Sequence, residues 1–124
     1  MRHLAVPWAH SYADMRPGFT DRERREKYRQ AAVGLPKRPP DNTLWWAYRI
    51  AVKKSGRQLD VDNVAKTIID GFCLAQITWD GSLHQELGLY PDDTFDFVRV
   101  LQVVGGRSTD RDCTKIEIFA CVNE

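Results

Sequence analysis

Asp60-Val61-Asp62-Asn63-Val64-Ala65-Lys66-Thr67-Ile68-Ile69-Asp70 is the stretch from which the rest of the chain is read. Val64, Ile68, Ile69, Phe72 and Cys73 recur at helical spacing as an apolar face, with Asn63, Lys66 and Asp70 on the other side. Asp62 or Asn63 can cap the first turn, because a short side-chain oxygen satisfies a backbone N–H that the helix leaves open. The spacing predicts a helix over about Asn63–Ala75, with Leu59–Asp62 as an extended lead-in and Ile77–Asp80 running into a loop at Gly81. Residues two apart in an extended segment leave the same face, so Asp60 and Asp62 present neighbouring carboxylates. Residues four apart meet on a helix, so Lys66 and Asp70 are neighbours.

Upstream, Leu44–Lys53 alternates as a strand, with Trp46, Tyr48, Ile50 and Val52 on one parity. Downstream, Phe95–Val104 and Lys115–Val122 read as two more strands, joined through Gly105–Cys113 as a long hairpin loop. Near the start, Thr20 with Glu23 fits a capping box opening a surface helix over Asp21–Ala32, which Gly34 can end. Residues 34–42, with Pro36, Pro39 and Pro40, form a connector, and residues 1–19 an irregular arm with room for one short strand. This pattern predicts a single α+β domain over residues 1–124, a small mixed sheet packed by helices. There are too few helices for a doubly wound parallel fold.

Composition narrows the setting. At 43% hydrophobic residues the chain can build one core, and no apolar run is long enough to span a bilayer. The N-terminal stretch meets Pro7 and His10 before any sustained apolar segment forms, so a cytoplasmic, non-membrane protein is expected. Cys73, Cys113 and Cys121 are too widely spaced for a disulfide scaffold or a compact zinc motif and read as free thiols. Net charge is only +1, but it is unevenly distributed. Arg22, Arg24, Arg25, Lys27 and Arg29 form one basic group. Lys37, Arg38, Arg49, Lys53, Lys54 and Arg57 form another, while acidic residues dominate from Asp60 to Asp96. That asymmetry suits a phosphate-contacting surface beside an acidic pocket, although a charge run is more often a solvated face. No nucleotide-binding loop is present.

Crowded carboxylates repel unless a cation joins them. Mg²⁺ prefers oxygen ligands and keeps several waters, so Asp60, Asp62 and a later Asp80 suffice for a catalytic metal site, with Mn²⁺ as a substitute. Such a metal activates water and neutralises charge on a phosphodiester, and Lys66 adds a cation near the scissile phosphate. In the plain alternative, Asp62 or Asn63 only caps a helix and Asp60 only makes a turn. His84 reads as a surface or packing histidine before a metal ligand or base. Of Trp45 and Trp46, one packs in the core and the other is available for stacking or an interface. Phe95 and Phe97 share parity as core or interface residues, and Arg107 and Arg111 follow a glycine pair that suits a phosphate-contacting loop.

Taken with Ile77-Thr78-Trp79-Asp80, the quoted stretch closely resembles the RusA-like family of Holliday junction resolvases, crossover junction endodeoxyribonucleases common in phage and prophage. The matching core covers about 25 residues, and a looser similarity extends over the flanking strands. The resemblance implies a RusA-like fold and a Mg²⁺-dependent homodimer making paired incisions in four-way DNA junctions, in recombination and repair. It implies metal-ligating and catalytic roles for Asp60 and Asp62, a catalytic role for Lys66, and supporting positions for Asn63 and Asp70. The family usually carries an adjacent Asp pair after this helix, with the second Asp important. Here the expected pair reads Asp80-Gly81, so Asp80 takes over as ligand or Glu86 reaches inward. DNA contacts are expected from Lys53, Lys54, Arg57 and Arg107. The alternatives are a catalytically weakened or inactive branched-DNA-binding homologue and a small structural domain.

Overall fold

Strict alternation along β2 (Thr43–Lys54) sets the core: Trp46, Tyr48, Ile50 and Val52 are buried on one face of the strand. The computed structural model describes residues 2–6, 20–34, 42–55, 61–109 and 111–122, so Asp60, Arg57 and the proline-rich connector lie outside the described residues. The other strands are β1 (Arg2–Val6), β3 (Val98–Arg107) and β4 (Cys113–Val122), in the sheet order β1-β4-β2-β3. β2 pairs antiparallel with β4 and parallel with β3, while β1 pairs antiparallel with β4. The result is a small α+β domain with a mixed sheet packed by helices. No helix of the described residues is long and apolar enough to cross a membrane.

The expected terminal hairpin does not form, because β2 lies between β3 and β4. The side chains explain the exchange. β2 and β4 supply Ile50, Ile116 and Ile118 to the core, whereas only Val98 and Val103 of β3 are even half-buried. β3 therefore suits an edge. A parallel neighbour requires a long crossover, and the helices after β2 provide it.

Helix α1 (Asp21–Ala31) starts as the capping box predicts, with the Thr20 hydroxyl accepting from the Glu23 N–H at 3.2 Å. Its basic residues are a correction to the surface reading. Arg24, Arg25 and Arg29 are buried, leaving Arg22 and Lys27 exposed. The helix expected over Asn63–Ala75 is two helices, α2 (Val61–Gly71) and α3 (Leu74–Asp80). They break at Phe72–Cys73, where other backbone takes over the hydrogen bonds. Leu74 N–H donates to the Tyr90 carbonyl at 2.9 Å, Ala75 N–H to that of Pro91 at 3.1 Å, and Leu89 N–H to that of Phe72 at 2.9 Å. Arg29 Nε caps the freed carbonyl of Gly71 at 2.7 Å. Val64, Ala65 and Ile68 of α2 pack with Tyr28 of α1 against the buried face of β2 and β4. A single 3-10 turn at Gln85–Leu87 follows α3, and β3 begins later than expected, leaving Phe95 outside the strand.

Candidate functional site

One side of α2 carries Asp62, Lys66 and Asp70 at four-residue intervals, with Asp62 and Lys66 exposed and Asp70 buried. Lys66 Nζ lies 3.5 Å from Asp70 Oδ2 and 3.6 Å from Asp93 Oδ2. One ammonium is thus shared between a helical carboxylate and a carboxylate on the loop entering β3. At the start of α2, the Asn63 carbonyl accepts from the Thr67 hydroxyl at 2.8 Å.

The loop that brings Asp93 there is fastened to the α2–α3 junction. Besides the backbone bonds of Tyr90 and Pro91, the Tyr90 hydroxyl donates to the Ile69 carbonyl at 2.6 Å. It also shares a 2.8 Å hydrogen bond with the Tyr48 hydroxyl, and the two rings meet edge-on. Cys73 Sγ is 3.6 Å from the Pro91 carbonyl. Of the adjacent carboxylates, Asp92 turns back on its own chain, Oδ1 accepting from Thr94 N–H at 3.1 Å, while Asp93 faces Lys66. The electrostatics agree with this crowding. Burial pushes the Cys73 thiol pKa up, and the Asp93 and Asp70 carboxylates add to the rise. Burial likewise raises Tyr90 far above its ordinary value, with Tyr48 and Asp70 contributing.

Asp80, expected as the third ligand, stands in a different environment. Its Oδ2 accepts from Arg25 Nε at 2.8 Å and its Oδ1 from Arg25 Nη2 at 2.7 Å, a bidentate pair. Arg29 Nη2 lies 3.0 Å from Oδ2, and Gln76 donates to Oδ1 at 3.0 Å. Burial pushes the Asp80 pKa up, but the hydrogen bonds from Arg25, Gln76 and Arg29 outweigh it and hold the carboxyl below its ordinary range. Gly81, at φ 68°, is the left-handed residue ending α3, a conformation that glycine adopts without the Cβ penalty.

Glu86 is exposed and lies 3.8 Å from His84 Nδ1, while His84 Nε2 is 3.7 Å from Glu26. Lys53 and Arg107 are exposed at the ends of β2 and β3. Lys54 is engaged, its Nζ 3.1 Å from Asp112. Asp60 and Arg57 cannot be placed beside these groups, since both lie outside the described residues.

Asp62, Asp70 and Asp93 offer only the hard oxygen donors that Mg²⁺ takes, and the placing of Lys66 between two of them marks a position that favours positive charge. The donor chemistry fits. Among the described residues no group of three or more His, Cys, Asp or Glu side chains is close enough to hold a metal ion by itself. Sequence reading misses Tyr90, and takes Asp93 only as one of the residues of Leu83–Thr94, with His84, Glu86 and Asp92, that can reshape the site. The usable signal was the adjacent acidic pair Asp92-Asp93, directly after Pro91 and before the strand. Compared with known protein families and with curated proteins, the chain matches neither a family nor a curated sequence.

Proposed function

We propose that the chain is a Mg²⁺-dependent endodeoxyribonuclease of RusA-like fold that acts as a homodimer on branched DNA, four-way junctions in particular. The observation that carries this reading is Lys66 Nζ held between Asp70 and Asp93 on the helix that bears Asp62. The adjacent acidic pair expected after the helix is supplied by Asp92-Asp93, so Gly81 no longer counts against catalysis. In this reading Asp60, Asp62 and Asp93 would hold the metal, with Asn63 and Asp70 supporting them. Bound Mg²⁺ supplies an activated water and neutralises charge developing on the phosphate. Lys66 exchanges its carboxylate contacts for the phosphate and holds it by charge. Lys53 and Arg107 are exposed cations available to flanking phosphates.

The test is cleavage of a labelled four-way junction against linear duplex in Mg²⁺, with the intact protein and with Asp62→Asn and Asp93→Asn. Junction-selective incision lost in both variants supports the reading. Robust cutting by purified Asp62→Asn would rule out its role. A second reading, a branched-DNA binder without cleavage, is favoured by the Lys66 ammonium already standing between Asp70 and Asp93, where it meets their charge itself. It predicts junction binding in Mg²⁺ with no product.

A further inference from the structure

Among the described residues, strand β3 has a partner, β2, on one side and is the last strand in the sheet order on the other. Edge strands invite pairing with another chain, and proteins usually blunt them with charge, proline or cover. From Val100 to Gly106 this edge has neither a charged residue nor a proline. It instead exposes Val100, Leu101 and Val104, which are 49%, 48% and 55% exposed. A groove of about 430 Å³ between Ile69, Phe95 and Leu101 opens on the same edge.

The register with β2 assigns these side chains to faces. Leu101 and Val103 pair with Tyr48 and Ile50 and so share the helix-covered face, whereas Val100 and Val104 pair with Ala47 and Ala51 on the opposite face. A second β3 added antiparallel about a two-fold axis perpendicular to the sheet must match faces. One residue of β3 then pairs with its own copy. The β2 register shifts at Arg99, so the regular part of the edge is Val100–Arg107. Centring on Val103 would set Val100 and Leu101 against the partner's Gly106 and Gly105 and Val104 against the partner's Gln102. Centring on Leu101 would set Val100 against the partner's Gln102 and Val104 against the partner's bulge at Val98–Arg99. Centring on Gln102 sets Val100 against the partner's Val104 and Leu101 against the partner's Val103. Only this third alignment covers the exposed apolar side chains with apolar partners.

We infer that two copies of this chain join edge to edge through β3, antiparallel and centred on Gln102, into one continuous sheet with helices on the same side. The occupant is the homodimer partner of the function proposed above, while the surface and register follow from β3 itself. Because β3 runs antiparallel to its copy, the two Asp93 loops stand at opposite ends of the shared edge. A contact made mainly by one strand pair lies at the small end of stable interfaces, so a dissociation constant in the micromolar range is expected.

The experiment uses the full chain with Cys113 and Cys121 replaced by serine, Cys73 being buried. Sedimentation at up to about 0.2 mM, well above a micromolar constant, is expected to give a dimer mass. Under oxidation Gln102→Cys is expected to link to its own copy and the double variant Val100→Cys/Val104→Cys to link as well, with Val100→Cys alone staying unlinked. Val104→Lys, at an exposed position, is expected to shift the mass to monomer with the thermal midpoint unchanged. A monomer at every concentration, a Val104→Lys dimer, or efficient linking of Val100→Cys alone would each overturn the proposal. None of these readouts depends on cleavage. A dimer that cuts nothing leaves the surface standing and the nuclease reading fallen, and a junction-cutting monomer does the reverse.

Discussion

Asp80 accepts two hydrogen bonds from the single guanidinium of Arg25, at 2.7 and 2.8 Å, tying the end of α3 to α1. Both side chains are withdrawn from water, with 3% and 11% of their surface exposed. Removing one partner of such a pair leaves a buried charge short of its counter-ion, here chiefly that of Arg25, since Arg29 Nη1 keeps Glu26 Oε1 at 3.2 Å. Asp80→Asn is expected to cost about 3–5 kcal/mol of stability, read from urea unfolding. A metal ligand in this position would give the opposite pattern: a stability unchanged or raised, because repulsion is relieved, and a loss confined to metal-dependent behaviour.

The same pair fixes a pH dependence. The folded-state pKa of Asp80 is depressed, so its stabilisation is fully present above the ordinary carboxylate value of about 3.9 and is lost as pH falls through the lower folded value. Asp112, lowered by Ser55 and Lys54 against the opposing effect of burial, acts in the same direction. Unfolding free energy measured from pH 7 downward is therefore expected to hold steady until about pH 5 and then decline. In Asp80→Asn the decline is expected to be shallower.

Asp62 and Asp93 stand at the other extreme. Asp62 is exposed, and 43% of the Asp93 side chain is solvent-accessible. Asp62→Asn and Asp93→Asn are each expected to lower Mg²⁺-dependent junction cleavage on the order of 100-fold or more, while moving stability by no more than about 0.5 kcal/mol. Parallel cleavage assays and urea titrations on the same preparations check both halves.

Tyr90 links stability to the site. Its hydroxyl bridges Tyr48 and the Ile69 carbonyl in the buried core, and its neighbours carry Asp93. Tyr90→Phe is expected to cost about 1–3 kcal/mol by removing the donor to the Ile69 carbonyl and the acceptor for the Tyr48 hydroxyl. Because the Asp92–Asp93 loop loosens with it, the Mg²⁺ concentration for half-maximal cleavage is expected to rise. Equilibrium unfolding and a metal titration report the two effects separately.

Gly81 meets a backbone requirement at the end of α3. Gly81→Ala is expected to destabilise by about 1–2 kcal/mol, since a Cβ is placed at φ 68°. Gly81→Asp, which completes an Asp-Asp pair in sequence, is expected to leave cleavage no higher than in the parent protein, measured at saturating Mg²⁺.

Patterns with a short period were legible in the sequence. The parity of Trp46, Tyr48, Ile50 and Val52 and the Thr20 cap both survive in the structure. What failed depended on distant partners. Nothing local to Arg25 or Arg29 announces a carboxylate on another helix, so buried arginines read as a basic surface. Likewise, the apolar face of the α2 segment continues through Phe72 and Cys73, and the break between helices is fixed by backbone from Tyr90 and Pro91. The pairing of β3 followed the same rule: strand composition was visible, but the choice of β2 over β4 as neighbour depended on which strand could occupy the centre. Lys66–Asp70 was legible because four residues span one helical turn. Asp93, beyond an intervening helix and a 3-10 turn, was not.

The sheet's pairing scheme has a consequence for how the chain reaches this fold. Trp46 meets Val98 and Ala120, and Arg2 meets Ile118, so nearly every ladder joins segments far apart along the chain. Closing such loops costs entropy before any pairing repays it, which makes folding slower than for a helical protein of the same length. α1 and α2 can gather locally, but β3 finds its place only after the whole crossover has been laid down. Until then its apolar run is exposed on both sides, and the encounter of two nascent chains competes directly with the completion of either one.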